Sequence, residues 1–472
     1  MKSNWLQHTD CSGYCSSTSL SGPNLFQSLK DQFKNLPDYR DPLRVEIPIE
    51  DFFMSGLSIF SLKFPSLLQF EEHMRNKKRE TNLPRLFGIS RVPSDTHMRS
   101  VIDQYSNSVF RPMFRTVFEK ARRAKVLERF ALWDSTYYLA VDGTGYFYSD
   151  SVHCDNCLVK HHKEKNEKSF HHQMLAGAIV HPDQSCVIPV CPVAIQNQDR
   201  SSKNDCEQNA MKRFLIQFRE DHPQLKTVLL TDALHSTLPC LELMEKLQMN
   251  YILGVKPGSH AKLFDGLDKL ESTSEIYHFE DSEEIGDKVK KTVTRHYRFR
   301  NGVLLNHQST RLAVNFVELW ETTQWIDQWG DMQEEKVHMS WVTNYSLYQS
   351  SARQIVKAAR TRWKIENETF NTLKNHGYEF EHNFGHGYKN LCSNFAHLML
   401  LAFLVDQLQE LTCKVFQAAL AMAFGRRSRL WQKVRGAYEF ARIQFEDWLD
   451  FLSFLIDPSR WIATTVEAQA YI

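Results

Sequence analysis

Two short apolar runs that each lead into an aspartate place the strongest constraint on the fold of this chain. Tyr137–Val141 is followed directly by Asp142, and Thr227–Leu230 is followed by Thr231 and Asp232. Short apolar runs bounded by turn residues are typical of buried strands. A carboxylate at the end of such a strand loses hydration and requires a cation or hydrogen bonds nearby. The two runs therefore predict a sheet that gathers acidic side chains where its strands end.

Further strand and helix signals surround these two runs. The segments with strand character are Gln173–Val180, Val187–Ile195 and Tyr251–Val255, and those with helical character are Asn204–Glu220 and Leu238–Leu247. Three strands followed by alternating helices and strands predict an α/β fold, with a mixed sheet covered by helices.

The regions on either side of this sheet have different patterns. Helical periodicity precedes it, with Ser94 as a predicted helix cap. A β-rich insertion with a hairpin turn at Asn301-Gly302 follows, and then a long helix over Ser351–Asn375 that ends before Gly377. We expect five parts: an N-terminal helical region (1–130), the first part of the core (131–258), the β-rich insertion (259–345), the second part of the core (346–390) and a C-terminal helical region (391–472).

The charge balance gives no overall sign of nucleic-acid binding, because 57 Lys and Arg stand against 56 Asp and Glu. The basic residues nevertheless cluster at Arg111–Arg129, Lys288–Arg300, Arg353–Lys364 and Arg426–Arg435. Local clusters can contact DNA phosphates even when the net charge is near zero. A solvated helix face is the simpler explanation of any one cluster.

Other sequence features indicate where in the cell the protein is located. No apolar run reaches the roughly 18 residues that a membrane helix needs. The first residues lack the basic and apolar regions of a secretory signal. Ten cysteines in 472 residues are too sparse for a disulfide scaffold. These features predict a cytoplasmic protein without a membrane partner.

A third acid, Glu366, falls within the predicted long helix, in the segment Arg362-Trp-Lys-Ile-Glu366. Carboxylates suit Mg²⁺ or Mn²⁺, and two such ions about 3.5–4 Å apart can clamp the attacking and leaving oxygens of a phosphoryl transfer. Asp142, Asp232 and Glu366 therefore predict a two-metal site. Glu368 is the second candidate for the third acid, but it faces nearly the opposite side of the helix.

Each acid alone also has a simpler explanation. Asp142-Gly143 is a common turn pair, and Asp232 can cap the helix that follows it. Glu366 can form an ion pair with Arg362 one helical turn earlier.

The order Asp142, Asp232, Glu366, together with the mixed sheet and a β insertion before the glutamate, resembles the DDE transposases of bacterial insertion sequences. The resemblance covers about residues 137–387.

The segment from Arg362 to Glu366, followed by Phe370 and Leu373-Lys374, is similar to that family's signature around its catalytic glutamate. Two positions depart from the signature. Ala359 stands where the family has tyrosine, and Lys374 lies one place later than the family's lysine.

The resemblance implies a ribonuclease H-like core with helices on both faces of the sheet. It also implies an endonuclease that cleaves transposon ends with metal-activated water and then directs a 3′ hydroxyl onto target DNA. Its partners would be double-stranded DNA, both transposon ends and target, and a second copy of the chain on DNA, so that the cytoplasmic protein would associate with the nucleoid. The N-terminal helices are a further candidate for binding transposon ends.

Five residues are candidates for DNA contacts. Arg362, Lys364 and Lys374 would contact phosphates, and Trp325 or Trp329 of the insertion would stack on an unpaired base. Packing in the core of a small β domain is the alternative for both tryptophans.

Two other functions fit the same residues. One is a metal-dependent ribonuclease H-like nuclease without strand transfer. The other is a non-catalytic, zinc-stabilised nucleic-acid-binding protein whose acids only cap helices and turns.

A second group of potential metal ligands follows the first acid. Cys154 and Cys157 form a Cys-x₂-Cys pair, and His161 and His171 are the predicted remaining ligands of a structural zinc ion. Because the spacing does not match a standard zinc finger, two buried thiols on a loop are the alternative. His382 and His386 lie in a glycine-containing segment beyond the predicted helix, where we expect a loop that supports the active site or DNA. A metal-binding pair on a helix is the alternative for these two histidines.

Overall fold

The computed structural model describes residues 18–459, with gaps at 76–81, 133–134, 165, 197–204, 273–274, 287–288, 306–311 and 442. The first described part is helical, as predicted. Ser94 precedes its fifth helix, and the Ser94 hydroxyl accepts a hydrogen bond from the His97 N–H. The helices are α1 (Gly22–Lys34), α2 (Ile49–Ser61), α3 (Leu67–Arg75), α4 (Leu83–Phe87), α5 (Asp95–Ile102) and α6 (Arg111–Arg123).

The central sheet follows these helices. Its first elements are β1 (Tyr137–Ser149), β2 (Leu158–His162), β3 (Glu167–Val180), β4 (Ile188–Pro189), β5 (Val193–Ile195), α7 (Glu207–Asp221), β6 (Thr227–Thr231), α8 (Leu238–Lys246) and β7 (Asn250–Gly254). Strand β1 is antiparallel to β3 and parallel to β6, which is parallel to β7. The predicted mixed α/β sheet is thereby confirmed. Every residue of β6 is buried, in agreement with its uninterrupted apolar sequence.

The predicted β-rich insertion extends the same sheet. It contains α9 (Ala261–Ser272), β8 (Tyr277–Ile285), β9 (Lys291–Leu304), β10 (Ala313–Ile326) and β11 (Met332–Thr343). Strand β11 pairs with β7, so the strand order among the described residues is β2-β3-β1-β6-β7-β11-β10-β9-β8. The insertion is therefore joined to the core through backbone hydrogen bonds.

The predicted hairpin turn at Asn301-Gly302 is wrong. Both residues lie inside β9, with Gly302 at a φ of +73°. The Asn301 side chain donates to the Leu347 carbonyl and accepts from the Leu347 N–H, and the Gly302 N–H donates to Asn315 Oδ1. These long-range hydrogen bonds satisfy the Asn-Gly pair within a strand, so the local turn preference does not decide the conformation.

The predicted helix Ser351–Asn375 is present but is not uniformly α-helical. α10 (Gln349–Arg360) passes into a 3₁₀ turn (Thr361–Trp363) and a π-helical turn (Ile365–Phe370) before α11 (Asn371–Asn375). The remaining helices are α12 (Leu391–Thr412), α13 (Lys414–Met422), α14 (Arg427–Phe440) and α15 (Trp448–Ile456).

Helix α12 joins the N-terminal and C-terminal helical regions. It packs on α2, where the rings of Phe60 and Phe395 have centroids 6.1 Å apart. By length and composition alone α12 could cross a membrane, but 94% of its apolar window is buried in the fold. Its apolar sequence is explained by this central packing position.

Candidate active site

Asp142 lies within β1 and does not end it. Asp142 pairs with Ala176 of β3, and the next residue, Gly143, pairs with Leu175. The predicted strand end at Asp142 is therefore wrong, as is the turn at Asp142-Gly143. The cause is β3, which provides backbone partners for β1 as far as Ser149. Asp142 thus lies in the middle of a paired strand, and its side chain is only 20% exposed.

Asp232 follows β6 directly, as predicted. Its Oδ1 accepts a hydrogen bond from the Leu234 N–H at 3.0 Å, so it also caps a short 3₁₀ turn. In the parallel pair β1–β6, Leu139 is opposite Leu229 and Ala140 is opposite Leu230. Continuing this register by two residues brings Asp142 beside Asp232, and the charges of the two carboxylates interact.

Glu366 reaches the first aspartate through Arg362. The Arg362 Nη1 lies 2.9 Å from Asp142 Oδ2 and 2.7 Å from Glu366 Oε1. The expected ion pair between Arg362 and Glu366 is thus present, but it includes Asp142 as well. Glu366 occupies the π-helical turn, a local irregularity that is frequent at functional sites. Glu368 points away, with its carboxylate 3.7 Å from the Arg427 Nη1.

The electrostatics of Asp142 reflect this crowding of acids. The pKa of Asp142 is raised to about 7, with burial as the largest cause, and the negative charge of Asp232 and a hydrogen bond with Glu366 act in the same direction. The Arg362 guanidinium and the Gly143 N–H act in the opposite direction and lower this pKa. All three predicted acids therefore interact at one place, where their mutual repulsion favours a bound cation.

A fourth acid, Glu207, was missed by the sequence analysis. It is the first residue of α7, and its carboxylate lies against Gly143, where an added Cβ would be 2.5 Å from the Glu207 Cδ. Burial and the charge of Asp232 raise the pKa of Glu207. Its sequence context is that of an ordinary acid in a first helical turn, so no local pattern distinguishes it.

The family comparison agrees with this geometry. The model of the transposase DDE domain matches residues 147–405, more than half of the chain. The chain belongs to the transposase DDE domain family. Asp232 and Glu366 lie inside the matched range of this DDE transposase, and Asp142 lies on the same strand five residues before it. No curated protein matches the chain.

Family membership implies a transposition enzyme that binds DNA and uses divalent metal ions. The donor set in the transposase fits such ions, because four carboxylates converge beside the Arg362 guanidinium. Hard divalent cations prefer oxygen ligands of this kind.

The predicted phosphate-contacting residues differ in their surroundings. Arg362 lies between the acids, with 15% of its side chain exposed. The Lys364 Nζ donates to the Gln184 carbonyl at 2.6 Å. The Lys374 Nζ is paired with Glu381 Oε1 at 2.7 Å. Their role in DNA binding stays a prediction.

The two candidate tryptophans are on the β10–β11 hairpin. Trp325 is half-buried under the Lys291 Nζ, which lies 4.2 Å from the ring centroid. Trp329 is in the turn between the strands and is 78% exposed. Packing in a protein core therefore does not explain Trp329, whereas Trp341 of β11 is buried.

The Cys-x₂-Cys pair also lies within a group of potential metal ligands, but with different histidines from those predicted. Cys154, Cys157, His172 and His386 offer ligand atoms that all lie within 4.8 Å of one another. Neither of the predicted histidines, His161 and His171, belongs to this group. The reason is strand alternation, which places His171 and His172 on opposite faces of β3. The His171 Nε2 instead contacts the Ser169 hydroxyl, and His161 lies opposite Lys168 near the hairpin end.

Proposed function

We propose that this chain is a transposase that cleaves DNA at transposon ends and joins the resulting 3′ ends to target DNA. The observation that carries the proposal is the shared contact of Asp142 and Glu366 with Arg362, beside Asp232 at the end of the neighbouring strand. These groups come from three distant parts of the chain. Such convergence is typical of a catalytic site and is not needed for folding alone.

Asp142, Asp232 and Glu366 would hold two Mg²⁺ or Mn²⁺ ions. When bound, such ions activate an attacking water or 3′ hydroxyl and stabilise charge on the leaving oxygen. The chain's own residues position the acids. Asp142 lies on β1, Asp232 directly follows the adjacent strand β6, and Glu366 is held on a helix that Arg362 connects to β1.

Arg362 has a second role in this proposal. Its guanidinium donates to both carboxylates through one nitrogen, so other N–H groups remain in the same plane for a phosphate oxygen. A charge-assisted hydrogen bond of this type stabilises the negative charge that develops at phosphorus.

A cavity of about 860 Å³ between the insertion and α10 lies next to this site. Its basic lining residues are Arg295, Arg353, Lys357, Arg360 and Lys364. Acidic residues, among them Asp281 and Glu368, line it as well. We propose that a DNA strand lies along this cavity, with Lys374 further along the backbone and Trp325 or Trp329 against an unpaired base.

The test is a cleavage and joining assay with the DNA segments that flank the coding sequence, in the presence of Mg²⁺. We expect cut ends and joined products from the unmodified chain. Asp142→Asn, Asp232→Asn and Glu366→Gln should each lose both products and still bind DNA, whereas Glu368→Gln should keep activity.

The outcomes also separate the other candidate functions. Cutting without joining, when a precut end and target DNA are supplied, would indicate a nuclease. DNA binding without any Mg²⁺-dependent cutting would contradict the catalytic proposal. Joined products that require both transposon ends at once would support a dimer on DNA.

A further inference from the structure

Four side chains from three separate segments enclose a small volume away from the acidic site. Cys154 and Cys157 are in the connection between β1 and β2, His172 is on β3, and His386 is in the segment between α11 and α12. Cys157 and His172 are each 2% exposed, and His386 is 6% exposed. Buried polar atoms need bonding partners, and here the ligand atoms of all four side chains point to one another.

The distances between the ligand atoms fit a tetrahedral zinc ion. Zinc–sulfur bonds of about 2.3 Å and zinc–nitrogen bonds of about 2.0–2.1 Å in a tetrahedron require separations of roughly 3.75 Å for S–S, 3.55 Å for S–N and 3.35 Å for N–N. The Sγ atoms of Cys154 and Cys157 are 3.9 Å apart, and the Nε2 atoms of His172 and His386 are 3.1 Å apart.

The mixed pairs agree as well. The His172 Nε2 is 3.5 Å from the Cys154 Sγ and 3.3 Å from the Cys157 Sγ, and the His386 Nε2 is 3.3 Å from the Cys157 Sγ. These separations are close to those expected around one shared centre.

Neighbouring groups orient the ligands toward that centre. The His386 Nδ1 lies 2.9 Å from the Gly387 carbonyl and donates to it, which leaves the Nε2 lone pair free to coordinate. The Cys154 N–H donates to the Cys157 Sγ at 3.4 Å, an interaction that stabilises a thiolate. The rings of His172 and His386 both pack against Phe147.

We propose that Cys154, Cys157, His172 and His386 bind one structural zinc ion. Two thiolates and two imidazoles that fill all four positions of a tetrahedron form a closed site, which serves structure and not catalysis. Thiolate ligands also select zinc over the Mg²⁺ expected at the carboxylates. Zinc binding by these four residues would be independent of the DNA chemistry proposed above.

The position of the four ligands defines what the ion does. His386 belongs to the segment between α11 and α12, whereas the other three ligands belong to the β1–β2–β3 part of the sheet. A hydrogen bond of 2.7 Å from the Asn156 side chain to the Lys389 carbonyl connects the same two parts of the fold. The zinc ion therefore holds the segment that follows the Glu366 helix against the sheet that contains Asp142.

The first test is metal analysis of the full chain, purified without a polyhistidine tag and without chelators. We expect about one zinc ion per chain. Cys157→Ser and His386→Ala should lose most of it. His171→Ala is a matched control for the histidines, because it removes the neighbouring imidazole on the opposite face of β3. Cys240→Ser is the control for the cysteines, because it removes a buried thiol of α8. Both control variants should keep the zinc ion.

A second measurement serves if the ligand variants fail to fold. Replacement of zinc by Co²⁺ in the unmodified chain should produce the visible absorption of tetrahedral cobalt with two thiolates and two imidazoles. Hydrogen exchange of residues 379–390 should also become faster after zinc is removed with a thiol-reactive mercurial.

Three results would overturn the proposal. They are a chain without zinc, zinc that remains bound in both ligand variants, and a disulfide between Cys154 and Cys157 in the freshly purified protein. Loss of DNA cleavage with normal zinc content would contradict only the proposed function.

Discussion

Arg362 and Asp142 are 220 positions apart in the chain, yet the Nη1 of the first lies 2.9 Å from the Oδ2 of the second. The same nitrogen contacts Glu366. This contact connects the helix of the third acid to the strand of the first. It also keeps the pKa of Asp142 lower than burial alone would set it.

Replacement of Arg362 should therefore impair catalysis more than folding. We expect Arg362→Gln to lower the rate of DNA cleavage by about 10²–10³-fold, the usual effect of removing one donor to developing charge. Arg44→Gln is the control, because it removes an exposed arginine that is paired with Asp41 and lies outside the basic clusters, and such pairs contribute little. Cleavage rates at saturating Mg²⁺ test the prediction, and equal rates for the two variants would contradict it.

Substitutions at Gly143 and at Glu207 should impair activity through the same carboxylate. A Cβ added at Gly143 would lie 2.5 Å from the Glu207 Cδ, so Gly143→Ala should displace this carboxylate while the strand remains intact. We expect Gly143→Ala and Glu207→Ala each to lower activity about 10–100-fold, as is usual for residues that support a metal site.

The double variant distinguishes this coupling from two independent defects. If both substitutions act through the same carboxylate, the double variant should be no worse than either single one. Losses that multiply would show that Gly143 matters for another reason. Thermal unfolding of all three variants provides the control for stability.

Substitution of Trp329 should affect DNA processing, whereas substitution of Trp341 should affect stability. Trp329 is 78% exposed, so Trp329→Ala should change the free energy of unfolding by no more than about 0.5 kcal/mol. The proposed stacking predicts weaker binding to transposon ends with unpaired bases. Trp341→Ala should instead cost about 3–5 kcal/mol, because Trp341 is buried. Denaturant unfolding and DNA-binding titrations measure the two effects, and normal end binding by Trp329→Ala would refute the stacking role.

Asp103 should be among the more important residues for stability. Its buried carboxylate accepts hydrogen bonds from four consecutive N–H groups at the start of α12, those of Tyr388, Lys389, Asn390 and Leu391. Asp103→Ala should lower the free energy of unfolding by about 2–4 kcal/mol, since it removes a helix cap and leaves donors unpaired. Gln104→Ala, which removes an exposed contact with Lys389, should cost far less. Equal midpoints in denaturant for the two variants would show that solvent replaces the Asp103 contacts.

Local sequence patterns were sufficient for much of the fold. The apolar runs before Asp142 and Asp232 predicted buried strands, and the Ser94 cap predicted the start of α5. These features depend on residues close together in the chain, so their physical causes are visible in the sequence. The predicted turns were wrong where partners far away in the chain determine the backbone conformation. At Asp142-Gly143, pairing with β3 extends the strand. At Asn301-Gly302, hydrogen bonds with Leu347 and Asn315 keep the backbone in a strand.

The sequence by itself determined which acids, thiols and strand-forming runs this protein has, and it was enough to indicate the transposase family. Only the tertiary structure decided which of these groups meet. The strand register places Asp142 beside Asp232, and helix packing places Glu207 and Arg362 next to them. The loop before α12 places His386 next to the two cysteines. The physical reason is that such contacts join residues far apart in the chain, so neither their spacing nor their neighbours encode them.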